Sequence, residues 1–139
     1  METRQVSYEP SMQQGHIRHD LLLSAADWQS RTMLLAELRE ASYEVMAVPG
    51  LRYAMRALIQ RLVEPPLIVL DVVGDEAATP KRMESLLNLA PGMPLILIVG
   101  TYHSADWEPL RPRVRALLRR PLSIGEIVAL VQRTIPLGG

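Results

Sequence analysis

The sequence predicts an α/β fold in which five parallel strands alternate with five helices that cover both faces of one sheet. Three observations predict it. Pro65-Pro66-Leu67-Ile68-Val69-Leu70-Asp71 and Met93-Pro94-Leu95-Ile96-Leu97-Ile98-Val99 are near-continuous apolar runs of strand length, the pattern of strands buried on both faces. Segments between the strands repeat apolar residues at i, i+3, i+4 and i+7, as a helix with one buried face does. The connections are short, and with right-handed crossovers they lead to a parallel sheet.

The elements follow in order. Residues 1–18 are polar with isolated hydrophobes, which predicts a flexible tail ahead of a folded domain over residues 19–139. His16, His19 and Asp20 have a spacing that could suit a metal, but no third or fourth ligand is near, so they read as solvated residues. Leu21-Leu22-Leu23 is the first strand and Ser24-Ala25-Ala26-Asp27 the loop after it. Asp27 caps a helix to about Ala41, with Met33, Leu34, Leu38 and Ala41 at core spacing. Tyr43 to Val48 is the second strand, closed by Pro49-Gly50. Leu51, Ala54, Met55, Leu58 and Leu62 mark a second helix that stops before Pro65. The third strand ends at Asp71. Met83, Leu86 and Leu87 carry the third helix, with Pro80 in its first turn. Leu95 to Val99 is the fourth strand, after which Pro109 and Pro112 allow only a short or broken fourth helix. Val114 to Leu118 is the fifth strand. Ile124, Ile127, Val128, Val131 and Ile135 form the apolar face of the last helix, ended by Pro136 and Gly138-Gly139.

Composition narrows the function. The 139 residues suit one domain, 48% are hydrophobic, and a net charge of zero gives no overall bias toward nucleic acid or anionic membranes. Without cysteine there is no disulfide, thiolate metal site or Cys nucleophile. No segment reaches the ~18 apolar residues of a membrane span and no secretory pattern opens the chain, so a cytoplasmic protein is expected.

Asp71 interrupts the third strand's apolar run, and a carboxylate there needs a partner or a function, because an unpaired buried charge is costly. In such a sheet the functional crevice opens beyond the carboxyl ends of the strands, between the first and third. Asp71 is expected to face it, with Ser24 to Asp27 as the opposite wall.

Leu38-Arg39-Glu40-Ala41-Ser42-Tyr43-Glu44-Val45, Pro65 to Asp71, Met93-Pro94-Leu95-Ile96-Leu97-Ile98 and Arg120-Pro121-Leu122-Ser123 together resemble the receiver domain of bacterial two-component response regulators, over about Asp20 to Ile135. The resemblance implies a flavodoxin-like sheet of order 2-1-3-4-5. It also implies a carboxylate pocket that holds Mg2+, in which an aspartate accepts a phosphoryl group from a histidine kinase. Carried over residue by residue, the phosphoacceptor falls on Asp71, which is present. The acidic pair that holds the metal falls on Ala25 and Ala26, the phosphate-contacting hydroxyl on Val99, the lysine on Arg120 and the switching aromatic on Leu117. The expectation is therefore a degenerate receiver, or pseudo-receiver, with no cofactor and the Mg2+ site lost. Asp27, Asp75 and Glu76 are close enough in sequence to be weighed as substitute ligands, although Asp27 reads as a helix cap and the other two as loop residues.

Arg120 acquires a role of its own, since a planar guanidinium can pair with Asp71 through two hydrogen bonds and hold the crevice in one state. The module is expected to work by binding, with a sensor kinase, an output protein or a second copy as partner. Trp107, Leu110, Leu117 and Leu130 are the possible interaction face, the alternative being that these side chains are tucked in. Arg111, Arg113, Arg115, Arg119 and Arg120 form the one basic cluster. It reads as edge-strand charge rather than as direct nucleic-acid contact. Catalysis is not expected: there is no Gly-rich phosphate loop, and His103, Ser104 and Asp106 are too close in sequence to form a triad.

Overall fold

Strand and helix alternate along the chain from end to end of the described residues. The computed structural model describes residues 19–137. Its elements are β1 (Leu21–Ala25), α1 (Trp28–Glu40), β2 (Val45–Val48), α2 (Leu51–Ile59), β3 (Ile68–Asp71), α3 (Pro80–Leu89), β4 (Leu95–Val99), a 3-10 helix (Ser104–Arg113), β5 (Ala116–Arg119) and α4 (Ile124–Thr134). The five strands form one parallel sheet in the order β2-β1-β3-β4-β5, flavodoxin-like, with helices on both faces. The register aligns Ala25 with Asp71, Asp71 with Ile98, and Val99 with Arg119.

Alternation along each strand divides the core in two. Leu22, Ile68, Leu70, Leu95 and Leu97 pack under α2, α3 and the 3-10 helix, together with Met83, Leu86, Trp107 and Leu110. Leu21, Leu23, Leu67, Val69, Ile96 and Ile98 pack under α1 and α4 with Leu34, Leu38, Ile127 and Val131. Each fully buried Leu or Ile contributes roughly 1.5–3 kcal/mol relative to exposure, so the central strands carry much of the driving force for folding.

Several boundaries differ from the sequence expectation, each for a local reason. β1 runs on through Ser24 and Ala25, which pair with Leu70 and Asp71 rather than forming a loop. α1 ends in a Schellman turn: Ser42 takes φ 77°, its N–H donates to Arg39 O, and that of Tyr43 donates to Leu38 O. Tyr43 is therefore the buried anchor of that turn, and β2 begins only at Val45. The same motif ends α2 at Arg61, φ 56°, with Leu62 N–H donating to Ala57 O and Arg61 N–H to Leu58 O. Leu62 thus leaves the helical stripe and is 51% exposed, and Met33, one position off the Leu34–Leu38 face, is 49% exposed. β5 starts at Ala116, because Val114 still closes the 3-10 helix onto Arg111 O.

The proline-broken region is a ten-residue 3-10 helix containing Pro109 and Pro112. In that geometry residues three apart eclipse, which puts Trp107 and Leu110 on one face. Both are buried. No helix of the described residues is long and apolar enough to cross a membrane. His16 lies outside the described residues, as does the expected tail.

Candidate functional site: the crevice at Asp71

Asp71 ends β3 with its side chain 5% exposed. Both oxygens are engaged. Oδ2 accepts from Arg120 Nη2 at 2.6 Å, and Oδ1 accepts from the backbone N–H of Val73 at 2.9 Å. The pair is therefore a single charge-assisted hydrogen bond rather than the two-bond fork, because the turn after β3 claims the second oxygen. Arg120 is held at both ends of its own backbone: its N–H donates to Val99 O at 2.9 Å and its carbonyl accepts from Thr101 Oγ1 at 3.0 Å. Fixed there, its side chain spans the end of β4 to reach β3.

The facing wall is made by β1. Ala25 is buried beside Asp71, and Ala26 follows it, half-buried. Arg31 of α1 reaches back over this turn, with Nη1 donating to Ala25 O at 2.8 Å and Ala26 O at 3.4 Å. Asp27 accepts from Ser30 N–H at 2.8 Å as the N-cap of α1. That backbone bond, with the Ser30 side chain, holds its carboxyl below the usual aspartate range. Asp75 accepts from Leu51 N–H at 2.8 Å and from Ala77 N–H at 3.1 Å, which ties the β3–α3 loop to the start of α2. Glu76 is exposed.

Magnesium takes near-octahedral oxygen ligation, usually from one or two carboxylates plus substrate oxygens. The residues present do not fit it. Ala25 and Ala26 offer methyl groups, their carbonyls face Arg31, and the Asp71 carboxylate already serves Arg120 and Val73. Asp27 and Asp75 each cap backbone N–H groups. Among the described residues no cluster of three or more His, Cys, Asp or Glu side chains is placed to hold a metal ion. A pocket of about 150 Å³ adjoins the ion pair, lined by Ala25, Met33, Leu34, Ile124 and Ile127 as well as Asp71 and Arg120.

One sequence reading changes here, and two keep their outcome. The possible interaction face of Trp107, Leu110, Leu117 and Leu130 is not a surface: the first three are buried and Leu130 is partly buried against the core. The basic cluster is largely spent within the fold. Arg111 forms a two-point bond with Glu108 at 2.8 and 2.9 Å, Arg113 donates to Asn88 Oδ1 at 2.8 Å, and Arg120 serves Asp71. His103 Nδ1 lies 3.9 Å from Asp106 Oδ2, both well exposed, while Ser104 Oγ sits 3.5 Å from Arg119 Nη1. Val99 is buried in β4, as its apolar run implies. Arg31 and Thr101 are the two residues that sequence reasoning missed. Only the proximity of Thr101 to the end of the fourth strand offered a signal.

Searches against protein-family models and against curated proteins each return no match. Solved structures do match. An adenylate cyclase from Rhodopirellula baltica aligns with TM-score 0.72 at 15% identity, over 86% of this chain and 88% of that one. The receiver domain of Francisella response regulator 1452 aligns at 0.70 and 15%, covering 84% and 96%. The receiver domain of NtrX from Brucella abortus aligns at 0.69 and 17%, covering 83% and 97%. At these identities the likeness is one of fold, and the fold is that of response regulator receiver domains.

Proposed function

We propose that this chain is a degenerate receiver, a protein–protein interaction module of signal transduction that is not phosphorylated by the usual Mg2+-dependent route. The observation that carries the reading is the Asp71–Arg120 pair, in which one carboxylate oxygen is bound to a guanidinium at 2.6 Å while the other accepts from Val73 N–H. Phosphoryl transfer depends on metal ions and placed cations that neutralise developing charge. Ala25 and Ala26 supply no metal ligands, Val99 no hydroxyl, and Leu117 no aromatic ring to couple the crevice to the distal face. The module needs no cofactor, works in the cytoplasm without catalytic residues of its own, and takes a sensor kinase, an output protein or a second copy as partner. The test is incubation with acetyl phosphate and Mg2+ followed by intact mass. The mass stays unchanged; addition of one phosphoryl group at Asp71 overturns the reading.

A second reading is an atypical receiver still phosphorylated on Asp71 by a histidine kinase and regulating an output such as a transcription factor. It is favoured by the place of Asp71 at the end of β3 and by the likeness to receiver domains. Transfer of label from a phosphorylated histidine kinase to the wild-type chain but not to Asp71→Asn would establish it.

A further inference from the structure

The outer side of α2 sets exposed apolar side chains beside positive charge. Residues 51–63 contain three arginines and no acidic residue in a chain of zero net charge. The buried side of α2 is Leu51, Ala54 and Ala57. Its outer side carries Arg52, Tyr53, Arg56 and Ile59, all exposed, and the Schellman turn adds Arg61 and Leu62. Tyr53 is 43%, Ile59 60% and Leu62 51% exposed, so three large apolar side chains stand in water beside three guanidinium groups. Arg56 lies over the Tyr53 ring at 5.6 Å, which holds the aromatic face and the charge together.

The amino end of this stripe opens onto a recess of about 280 Å³ lined by Ala26, Pro49, Gly50, Tyr53 and Ala77, among others. The recess has firm walls because Asp75 binds both Leu51 N–H and Ala77 N–H. Glu76, exposed at the same recess, and Glu64 beyond Val63 bound the basic surface. The neighbouring α3 adds exposed Lys81 and Arg82 together with Glu84.

We propose that the outer face of α2 docks an acidic segment of a partner protein, in which carboxylates meet Arg52, Arg56 and Arg61 while apolar side chains cover Ile59 and Leu62 and one enters the recess beside Tyr53. Charge complementarity selects this occupant. A second copy docking through the same face would set three guanidinium groups against three others, an arrangement that like-charge repulsion opposes. A bilayer would leave the recess unfilled, and a nucleic acid would take the arginines but leave Ile59 and Leu62 without apolar contact. The surface deepens the interaction-module reading but does not depend on the chemistry of Asp71. Its failure therefore removes this face and leaves the crevice as described.

The test is peptide display on the immobilised full chain, followed by polarisation measurements with a fluorescent copy of the selected peptide. Selected sequences carry Asp or Glu around Leu, Ile or Phe, and binding weakens as salt rises. The triple change Arg52→Glu, Arg56→Glu, Arg61→Glu weakens binding by at least about tenfold, as charge reversal at a contact does. Ile59→Ser with Leu62→Ser also weakens it by about tenfold, through lost apolar burial. All five positions are exposed, so both variants keep the wild-type far-ultraviolet circular dichroism. Selection without acidic preference, or equal binding by wild type and both variants, overturns the proposal. So does binding to phosphatidylserine vesicles or duplex DNA that the triple variant loses while no acidic peptide is enriched.

Discussion

Replacing Arg120 by Met tests the ion pair at the crevice most directly. The change keeps most of the side chain's apolar stem and removes the cation bonded to Asp71, whose side chain is 5% exposed. Stripping one partner from a fully buried pair costs about 3–5 kcal/mol. Here the Arg120 side chain is 29% exposed and Asp71 keeps the Val73 N–H, so solvent and that bond reduce the expected loss to about 2 kcal/mol. For a domain of this size the melting temperature falls by about 6–10 °C. The decisive measurement is a double-mutant cycle by urea unfolding with Arg120→Met, Asp71→Asn and the two combined. The combined variant recovers part of the single variant's loss, because no charge remains buried, and the coupling is about 1–2 kcal/mol. A coupling near zero, with Arg120→Met no less stable than wild type, would refute the claim that this pair holds the crevice.

Trp107→Ala empties a buried site on the 3-10 helix and costs about 3–5 kcal/mol, seen as a lowered urea midpoint. Ser24 Oγ is buried with no hydrogen-bond partner among the described residues; Ser24→Ala therefore leaves stability unchanged or raises it by up to about 1 kcal/mol in the same assay. Asp75→Ala frees the first N–H of α2 and costs about 1 kcal/mol, with faster hydrogen exchange at Leu51 and Ala77 than at α3. The carboxyls of Asp27, Glu108 and Glu126 are all held below their ordinary values by hydrogen bonds to Ser30, Arg111 and Ser123. A group lowered in the folded state contributes stability above its ordinary value and loses it as pH falls through the folded one. Thermal melts thus fall on acidification below the ordinary values of 3.8 for Asp27 and 4.5 for the two glutamates, and Asp27→Asn with Glu126→Gln flattens that fall.

The most legible parts of the sequence were those governed by burial on both sides. β3 and β4 sit in the middle of the sheet, so every residue of each is buried and the apolar run needs no phase. The order of elements was readable on the same grounds, and so was the need of Asp71 for a partner; that the partner is Arg120 was implied by the resemblance to receiver domains rather than by burial. Helix ends were harder. Leu62 keeps the 3.6-residue period, yet the chain has already turned at Arg61, and a left-handed residue that is not glycine leaves little mark in the sequence. Trp107 and Leu110 could not be placed without knowing that their helix closes at three residues per turn. Arg31 and Asp75 act through long-reaching or non-local bonds to backbone atoms. Such bonds depend on which loops the sheet brings together rather than on spacing.

The two hydrogen bonds that Asp75 accepts have a mechanical consequence. Asp75 lies four residues after Asp71, in the loop that leaves β3, and through Leu51 that loop is laced to the first turn of α2. The rim of the molecule is thereby stitched into one collar joining the ion pair to the arginine-lined helix. A load on either side is shared with the other, since the helix start cannot lift away without unfastening the segment that the carboxylate of β3 begins.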